Sequence, residues 1–188
     1  MSAPTIATGF INITSLAYSP NREVAVVGER GGRLTLLDLL RPVAGGYEQR
    51  VIGEGYHDIN HLTYDDVTDR LIVSDADGMW LARLTAADRL DATAFAQFPH
   101  DVRGLGVALV AGTPVVVALE GTPSPHLASY NLGAGPGGTV TSLLKSLDGA
   151  NDSAVADASS AFLLTSTPAG PVLQRGDWSA DTVTQMSN

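Results

Sequence analysis

The chain has 188 residues, of which 44% are hydrophobic and 16% are charged; this composition is sufficient for a packed core and argues against long disordered regions. Eleven basic and 20 acidic side chains give a formal net charge of −9, which repels phosphate groups and argues against nucleic acid as a partner. The absence of cysteine excludes disulfides, thiolate metal sites and a cysteine nucleophile.

The sequence shows no feature of a membrane or secreted protein. Its first residues, 1–5, lack a basic region followed by an apolar run, so no signal peptide is expected. The apolar stretches 107–111 and 115–119 are far too short to span a bilayer. We therefore expect a cytoplasmic protein with no membrane partner.

Taken in chain order, four segments share one pattern: 11–39, 57–84, 100–132 and 151–178. Polar residues open the segments at separations of 46, 43 and 51 positions: Asn12, Asp58, Asp101 and Asp152. Polar residues also follow the second apolar run, at separations of 46, 45 and 47: Glu29, Asp75, Glu120 and Thr167. Apolar residues close the third run, at separations of 45, 48 and 46: Leu39, Leu84, Leu132 and Trp178. A common period of about 40–50 residues is typical of β-propeller blades.

Each repeat contains short strands separated by turn residues. The second run of each repeat is continuously apolar, as expected for a strand buried on both faces: 24–27, 71–73, 115–117 and 162–164. A fourth strand per repeat is predicted at 47–52, 93–98, 140–147 and 182–186, and residues 85–90 could instead form one helical turn.

These patterns predict an all-β protein, a four-bladed β-propeller of four tandem four-stranded antiparallel repeats of roughly 46 residues. The domain would cover residues 1–188, with blades at about 10–53, 57–98, 100–147 and 151–187. Residues 3–9 could form a closing strand paired with the last blade, which would remove an exposed sheet edge. Two alternatives remain open: a non-repetitive β-sandwich or barrel, and one half of a larger two-chain propeller.

Two stretches resemble known propeller families. Residues 31–39 resemble the third strand of a WD repeat, with Leu37 and Asp38 where Trp-Asp would stand. Residues 71–78 resemble the second strand and turn of an NHL-type blade. The repeats thus resemble those of WD-repeat, NHL-type and lactonase-like propellers, although the Gly-His pair that opens many WD repeats is absent. The resemblance to lactonase-like propellers implies a metal held by axial carboxylate and amide side chains.

The strand order of a propeller blade predicts which polar residues meet. In each blade the first strand lines the central axis and the second strand runs antiparallel to it. The start of the first strand therefore lies beside the end of the second strand. One rim is therefore expected to carry Asn12, His57, Asp58, His100, Asp101, Asn151 and Asp152, with Glu29, Asp75 and Glu120 beside them.

This rim yields three sets of candidate residues. The catalytic candidates are His57, His100, Asp58 and Asp101, since imidazole titrates near neutral pH. The metal-ligand candidates are Asp58, Asp101 and Asp152, whose hard oxygens suit Ca²⁺ or Mg²⁺. The ligand-binding candidates are Asn12, Asn151, Asp152, Glu29, Asp75 and Glu120. A structural role competes with all of these, because Asp at a tight turn caps backbone N–H groups.

The preferred interpretation is a binding module that takes a small molecule, a cation or a peptide segment at the central funnel on its top face. No complete catalytic motif is present, which favours binding over turnover. The alternative is a small enzyme of the lactonase, lyase, isomerase or cyclase type that uses His57, His100 and axial carboxylates. The expected partners are a small molecule or protein segment, and the expected state is a monomer or homodimer. Trp80 and Trp178 are expected to pack between blades rather than to contact a ligand.

Overall fold

The computed structural model describes residues 6–85, 90–96, 101–121, 124–133 and 140–186, with only the backbone given for 95 and 96. All secondary structure in these ranges consists of strands, arranged as four four-stranded sheets. Each strand pairs antiparallel with its neighbour in sequence, so each sheet is one predicted repeat. This confirms the predicted fold class, a four-bladed β-propeller.

The chain divides into two compact units, Met1–Ala94 and Phe95–Asn188. The first unit holds sheet 1 and all but the last two residues of sheet 2. Sheet 1 is formed by β1 (Ile13–Ser19), β2 (Val24–Glu29), β3 (Leu34–Val43) and β4 (Gly46–Gly53). Sheet 2 is formed by β5 (His61–Asp65), β6 (Arg70–Ser74), β7 (Met79–Leu84) and β8 (Leu90–Ala96).

The second unit holds sheets 3 and 4. Sheet 3 is formed by β9 (Val102–Val110), β10 (Thr113–Glu120), β11 (His126–Asn131) and β12 (Val140–Leu144). Sheet 4 is formed by β13 (Ala150–Val155), β14 (Ser160–Thr167), β15 (Gly170–Asp177) and β16 (Thr182–Gln185). In the part of the chain that the structure describes, no helix is long and apolar enough to cross a membrane.

The core of the first unit lies between sheets 1 and 2. All six residues of β2 are buried, as its continuous apolar run predicts. Side chains from both sheets form one apolar cluster, which includes Val26, Leu36, Leu71 and Val73. Burial of each such side chain contributes about 1.5–3 kcal/mol, which is why the faces of adjacent repeats are apolar.

Hydrogen bonds also link equivalent positions of sheets 1 and 2. The backbone N–H of Leu62 donates to Oγ of Ser15 at 2.8 Å, across 47 positions. Arg22, in the β1–β2 turn, forms a two-pronged ion pair with Asp69, in the β5–β6 turn, again across 47 positions. The two residues that form each of these contacts are therefore about one repeat period apart in the sequence.

In the second unit the first strands of sheets 3 and 4 approach each other closely. A Cβ atom on Gly104 would lie 2.3 Å from Oγ of Ser153, and one on Gly106 would lie 2.6 Å from Val155. Both positions of β9 therefore require glycine. The neighbouring core contains Val117 and Leu119 of sheet 3 and Leu163 of sheet 4, among other apolar residues.

The predicted closing strand, residues 3–9, lies partly outside the described residues, which begin at 6. Residues 6–9 form no strand. The carbonyl of Ile6 accepts a hydrogen bond from the backbone N–H of Tyr47 at 3.2 Å, and Ala7 and Phe10 pack on Ala25, Val27 and Leu37 of sheet 1. This segment thus covers the face of sheet 1 opposite to sheet 2. The helical turn considered at 85–90 falls mostly on residues outside the described ranges.

Candidate functional site

The acidic residues that follow the second strands of the first unit are buried and hydrogen-bonded. Glu29 is 3% exposed, and its carboxylate accepts hydrogen bonds from the Arg33 guanidinium and the Ile11 backbone N–H. The hydrogen bond from Arg33 lowers the pKa of Glu29. Asp75 is 5% exposed and accepts from the backbone N–H groups of His57 (3.1 Å), Asp77 (3.0 Å) and Gly78 (3.0 Å). Both carboxylates thus fix the loops around them.

Glu120, the equivalent residue of the second unit, is 3% exposed and lies between two side chains. The Tyr130 hydroxyl donates a short hydrogen bond to Oε1, and His126 Nε2 lies 3.3 Å from Oε2. Burial, with the Glu120 carboxylate as a further cause, raises the pKa of Tyr130. Sequence analysis did not single out His126 or Tyr130, because neither position recurs in the other repeats.

The predicted rim residues of the first unit are exposed. Asn12 and Asp58 stand 46 positions apart and share a left-handed backbone, with φ of 54° at each. Asn and Asp tolerate this conformation better than most residues, which explains why a short polar side chain recurs there. The His57 side chain is 67% exposed, and its Nδ1 lies 3.4 Å from Oδ1 of Asp77.

The predicted rim residues of the second unit are also exposed. Asp101 Oδ2 accepts from Nε of Arg103 at 2.8 Å, and Asn151 Nδ2 donates to Oγ of Ser166 at 2.6 Å. Asp152 lines a shallow apolar groove on sheet 4. His100 lies outside the described residues. Across the described ranges, no three or more His, Asp or Glu side chains are grouped to hold a metal ion.

A pocket of about 510 Å³ lies within the first unit, and we call it the acidic pocket. It is formed by the segment that joins sheets 1 and 2, the β6–β7 turn and parts of β7 and β8. Its lining combines four carboxylates, two aromatic rings and small or apolar residues: Gly53, Glu54, Gly55, Tyr56, Asp75, Asp77, Trp80, Leu90, Asp91 and Ala92. None of these lining residues is basic.

Backbone contacts hold the joining segment in place beside this pocket. Gly32 has φ of +80°, and a Cβ there would lie 1.9 Å from the carbonyl oxygen of Tyr56. Only glycine fits that position, because the conformation and the close approach both exclude a side chain. On the other side, the N–H of Ala76 donates to the carbonyl of His57 at 2.7 Å. These contacts place Tyr56 against the β6–β7 turn.

The two aromatic rings of the acidic pocket stand nearly perpendicular. The ring centroids of Tyr56 and Trp80 are 6.2 Å apart, with an interplanar angle of 82°. Both rings pack against the apolar core of the first unit, so Trp80 has the packing role that the sequence predicts and also lines the pocket. Its Nε1 is buried, and no hydrogen-bond partner for it is found among the described residues.

Burial and the charge of Asp75 raise the pKa of Tyr56 to about 12, so this phenol is neutral at physiological pH. The negative charge of the pocket therefore comes from carboxylates alone. Glu54, Asp77 and Asp91 are exposed, whereas Asp75 is buried in the wall. The arrangement can attract a positively charged group and place it beside aromatic rings.

The four consecutive sheets and their antiparallel order place the chain among the β-propellers. No protein-family model and no curated protein matches the sequence. Solved structures do match, and because the identities are low these likenesses show the fold alone.

One match is a chain of a nidogen/laminin complex, with a TM-score of 0.64 and 16% identity, over 93% of this chain and 75% of that one. A second is a hydrazine synthase of Kuenenia stuttgartiensis, with a TM-score of 0.68 and 10% identity, over 99% and 52%. A third is an auxiliary nutrient binding protein of Bacteroides thetaiotaomicron, with a TM-score of 0.66 and 12% identity, over 94% and 41%. The chain thus spans about half or less of the last two.

Proposed function

We propose that the protein is a ligand-binding β-propeller whose small-molecule ligand occupies the acidic pocket of the first unit. The observation that carries this proposal is the pocket itself, whose volume of about 510 Å³ falls within the range of roughly 300–1,000 Å³ common for ligand sites. Its mixture of aromatic walls and a few polar groups is also usual for such sites.

The proposed site differs from the predicted central funnel. It lies between neighbouring repeats of one unit, and only Asp75 belongs to both the predicted site residues and the pocket lining. A nutrient binding protein among the matched structures is consistent with ligand binding but adds no evidence beyond the fold. The enzymatic alternative depends on His57 together with His100 and stays a prediction.

Filling the pocket tests this proposal. Ala92 of β8 lines the pocket and is exposed, so Ala92→Trp should occupy part of the space without disturbing the core. Ala94→Trp is the matched control, because Ala94 is an exposed alanine of the same strand that does not line the pocket.

A library of small polar and aromatic compounds is screened against the protein by ligand-observed NMR. We expect at least one binder whose Kd rises about tenfold or more, or about 1.4 kcal/mol, in Ala92→Trp and remains unchanged in Ala94→Trp. If every binder tolerates Ala92→Trp, or if both variants weaken binding equally, the proposal is wrong.

A further inference from the structure

We propose that the ligand of the acidic pocket carries an alkylammonium or quaternary ammonium group, which lies against the aromatic wall formed by Tyr56 and Trp80. This inference rests on the proposed function and names the chemical class of its ligand. Three features of the first unit support it: the geometry of the two rings, the fixed charge of Asp75 and the charge of the remaining lining.

The first feature is the ring geometry. A cation is attracted to the face of an aromatic ring when it lies within about 6 Å of the centroid, and Trp gives the strongest attraction. The two rings meet at 82° with centroids 6.2 Å apart. The rings therefore contact each other edge to face, and a group in the pocket lies against the aromatic wall that they form. Tetrahedral ammonium groups with alkyl substituents suit this position, because they combine positive charge with an apolar surface.

The second feature is the fixed position of Asp75. Its carboxylate is held by three backbone N–H groups and is 5% exposed. It cannot rotate away without losing those hydrogen bonds, so it presents a preorganised negative charge at the pocket wall. Charges fixed in a partly buried site interact more strongly with a ligand than charges in open water.

The third feature is the balance of charge. Among the described residues, the lining contains three further carboxylates, Glu54, Asp77 and Asp91, and no Lys, Arg or His. Anionic ligands are repelled by this surface, and neutral ligands gain nothing from it. A monocation reduces the repulsion among the carboxylates and is concentrated by their combined potential.

The test compares two ligands of nearly equal shape. Choline carries a trimethylammonium group, and 3,3-dimethylbutan-1-ol replaces its nitrogen with carbon and removes the charge. Both are titrated into the full chain by isothermal calorimetry at low salt, and then into Ala92→Trp and Ala94→Trp. Because the comparison is made on one unchanged protein, it does not depend on the folding of a variant.

We expect choline to bind about fivefold more tightly than the neutral isostere, or by about 1 kcal/mol, because the cation–π contact and the carboxylates both favour the charged ligand. Choline binding should weaken in Ala92→Trp and with increasing salt, and should persist in Ala94→Trp. Trp80→Phe should retain part of the preference for choline, and Trp80→Leu should lose more of it.

The outcomes separate the two proposals. If the neutral isostere binds the pocket as tightly as choline, the ammonium inference is wrong while the pocket remains a binding site. If the library yields only neutral or anionic compounds that Ala92→Trp blocks, the inference is likewise wrong. If no compound of any charge binds in a way that Ala92→Trp blocks, the proposed function fails and the inference with it.

Discussion

At the scale of single residues, several side chains that recur with the repeat period have a structural role in the first unit. Asn12 and Asp58 recur because their backbone is left-handed, and Glu29 and Asp75 recur because they satisfy N–H groups of neighbouring loops. The repeat period singles out these four positions, but the sequence does not separate a structural from a ligand-binding role. The role of each carboxylate depends on whether the folded protein buries it, and burial cannot be read from the sequence.

Replacement of Asp75 by Asn should destabilise the first unit. The amide offers one oxygen in place of two, so at least one of the N–H groups of His57, Asp77 and Gly78 loses its acceptor. A buried donor without a partner costs about 1–3 kcal/mol, so we expect the free energy of unfolding in urea to fall by about that amount. Asp77→Asn is the control, since that side chain is 65% exposed and should change stability by under about 0.5 kcal/mol. Equal stability of the two variants would contradict the role given to Asp75.

At the scale of strands and sheets, the repeat period was enough to predict the fold. The predicted second strands at 24–27, 71–73 and 115–117 are observed as buried strands. The fourth of these, at 162–164, is a strand but is buried on one face only, because Phe162 and Leu164 of β14 are exposed; the prediction that both its faces are buried was wrong. The predicted fourth strands of the repeats overlap β4, β8, β12 and β16. The acidic pocket was not predicted, because its lining comes from a joining segment, a turn and a fourth strand. Most of its lining residues do not recur with the repeat period, and the close contact of Tyr56 with Gly32 cannot be read from the sequence.

The turn-to-turn pair Arg22–Asp69 gives a prediction at this scale. A hydrogen bond from Arg22 lowers the pKa of Asp69 to about 2. A carboxyl whose pKa is lower in the folded state than the ordinary value of about 3.9 stabilises the fold above that value, and the stabilisation is lost as the pH falls towards 2. The side chains are 37% and 51% exposed, so solvent screening limits the effect to under about 1 kcal/mol at neutral pH.

Asp69→Asn tests this pair, because Asn keeps the left-handed backbone at this position. Its amide oxygen can also still accept the hydrogen bond that the Tyr64 hydroxyl donates to Oδ1 of Asp69 at 2.7 Å. Urea unfolding should show a small loss of stability at pH 7 that shrinks as the pH falls from 4 towards 2. A difference between the two proteins that stays constant over that range would contradict the pairing of Asp69 with Arg22.

At the scale of the whole molecule, the proposed function depends on the junction between adjacent repeats. Adjacent repeats of one unit share an apolar core, and the acidic pocket opens at the polar end of the junction between sheets 1 and 2. A binding site between repeats needs no catalytic motif, and the sequence contains no complete one. The predicted divalent metal, the protein-segment partner and the state of monomer or homodimer stay predictions.

The most direct test of this account is a crystal structure of the protein soaked with choline. We predict electron density for the trimethylammonium group in the acidic pocket, with its nitrogen within about 6 Å of the ring centroid of Tyr56 or Trp80. Choline density at another site, with the acidic pocket left to water, would contradict the account.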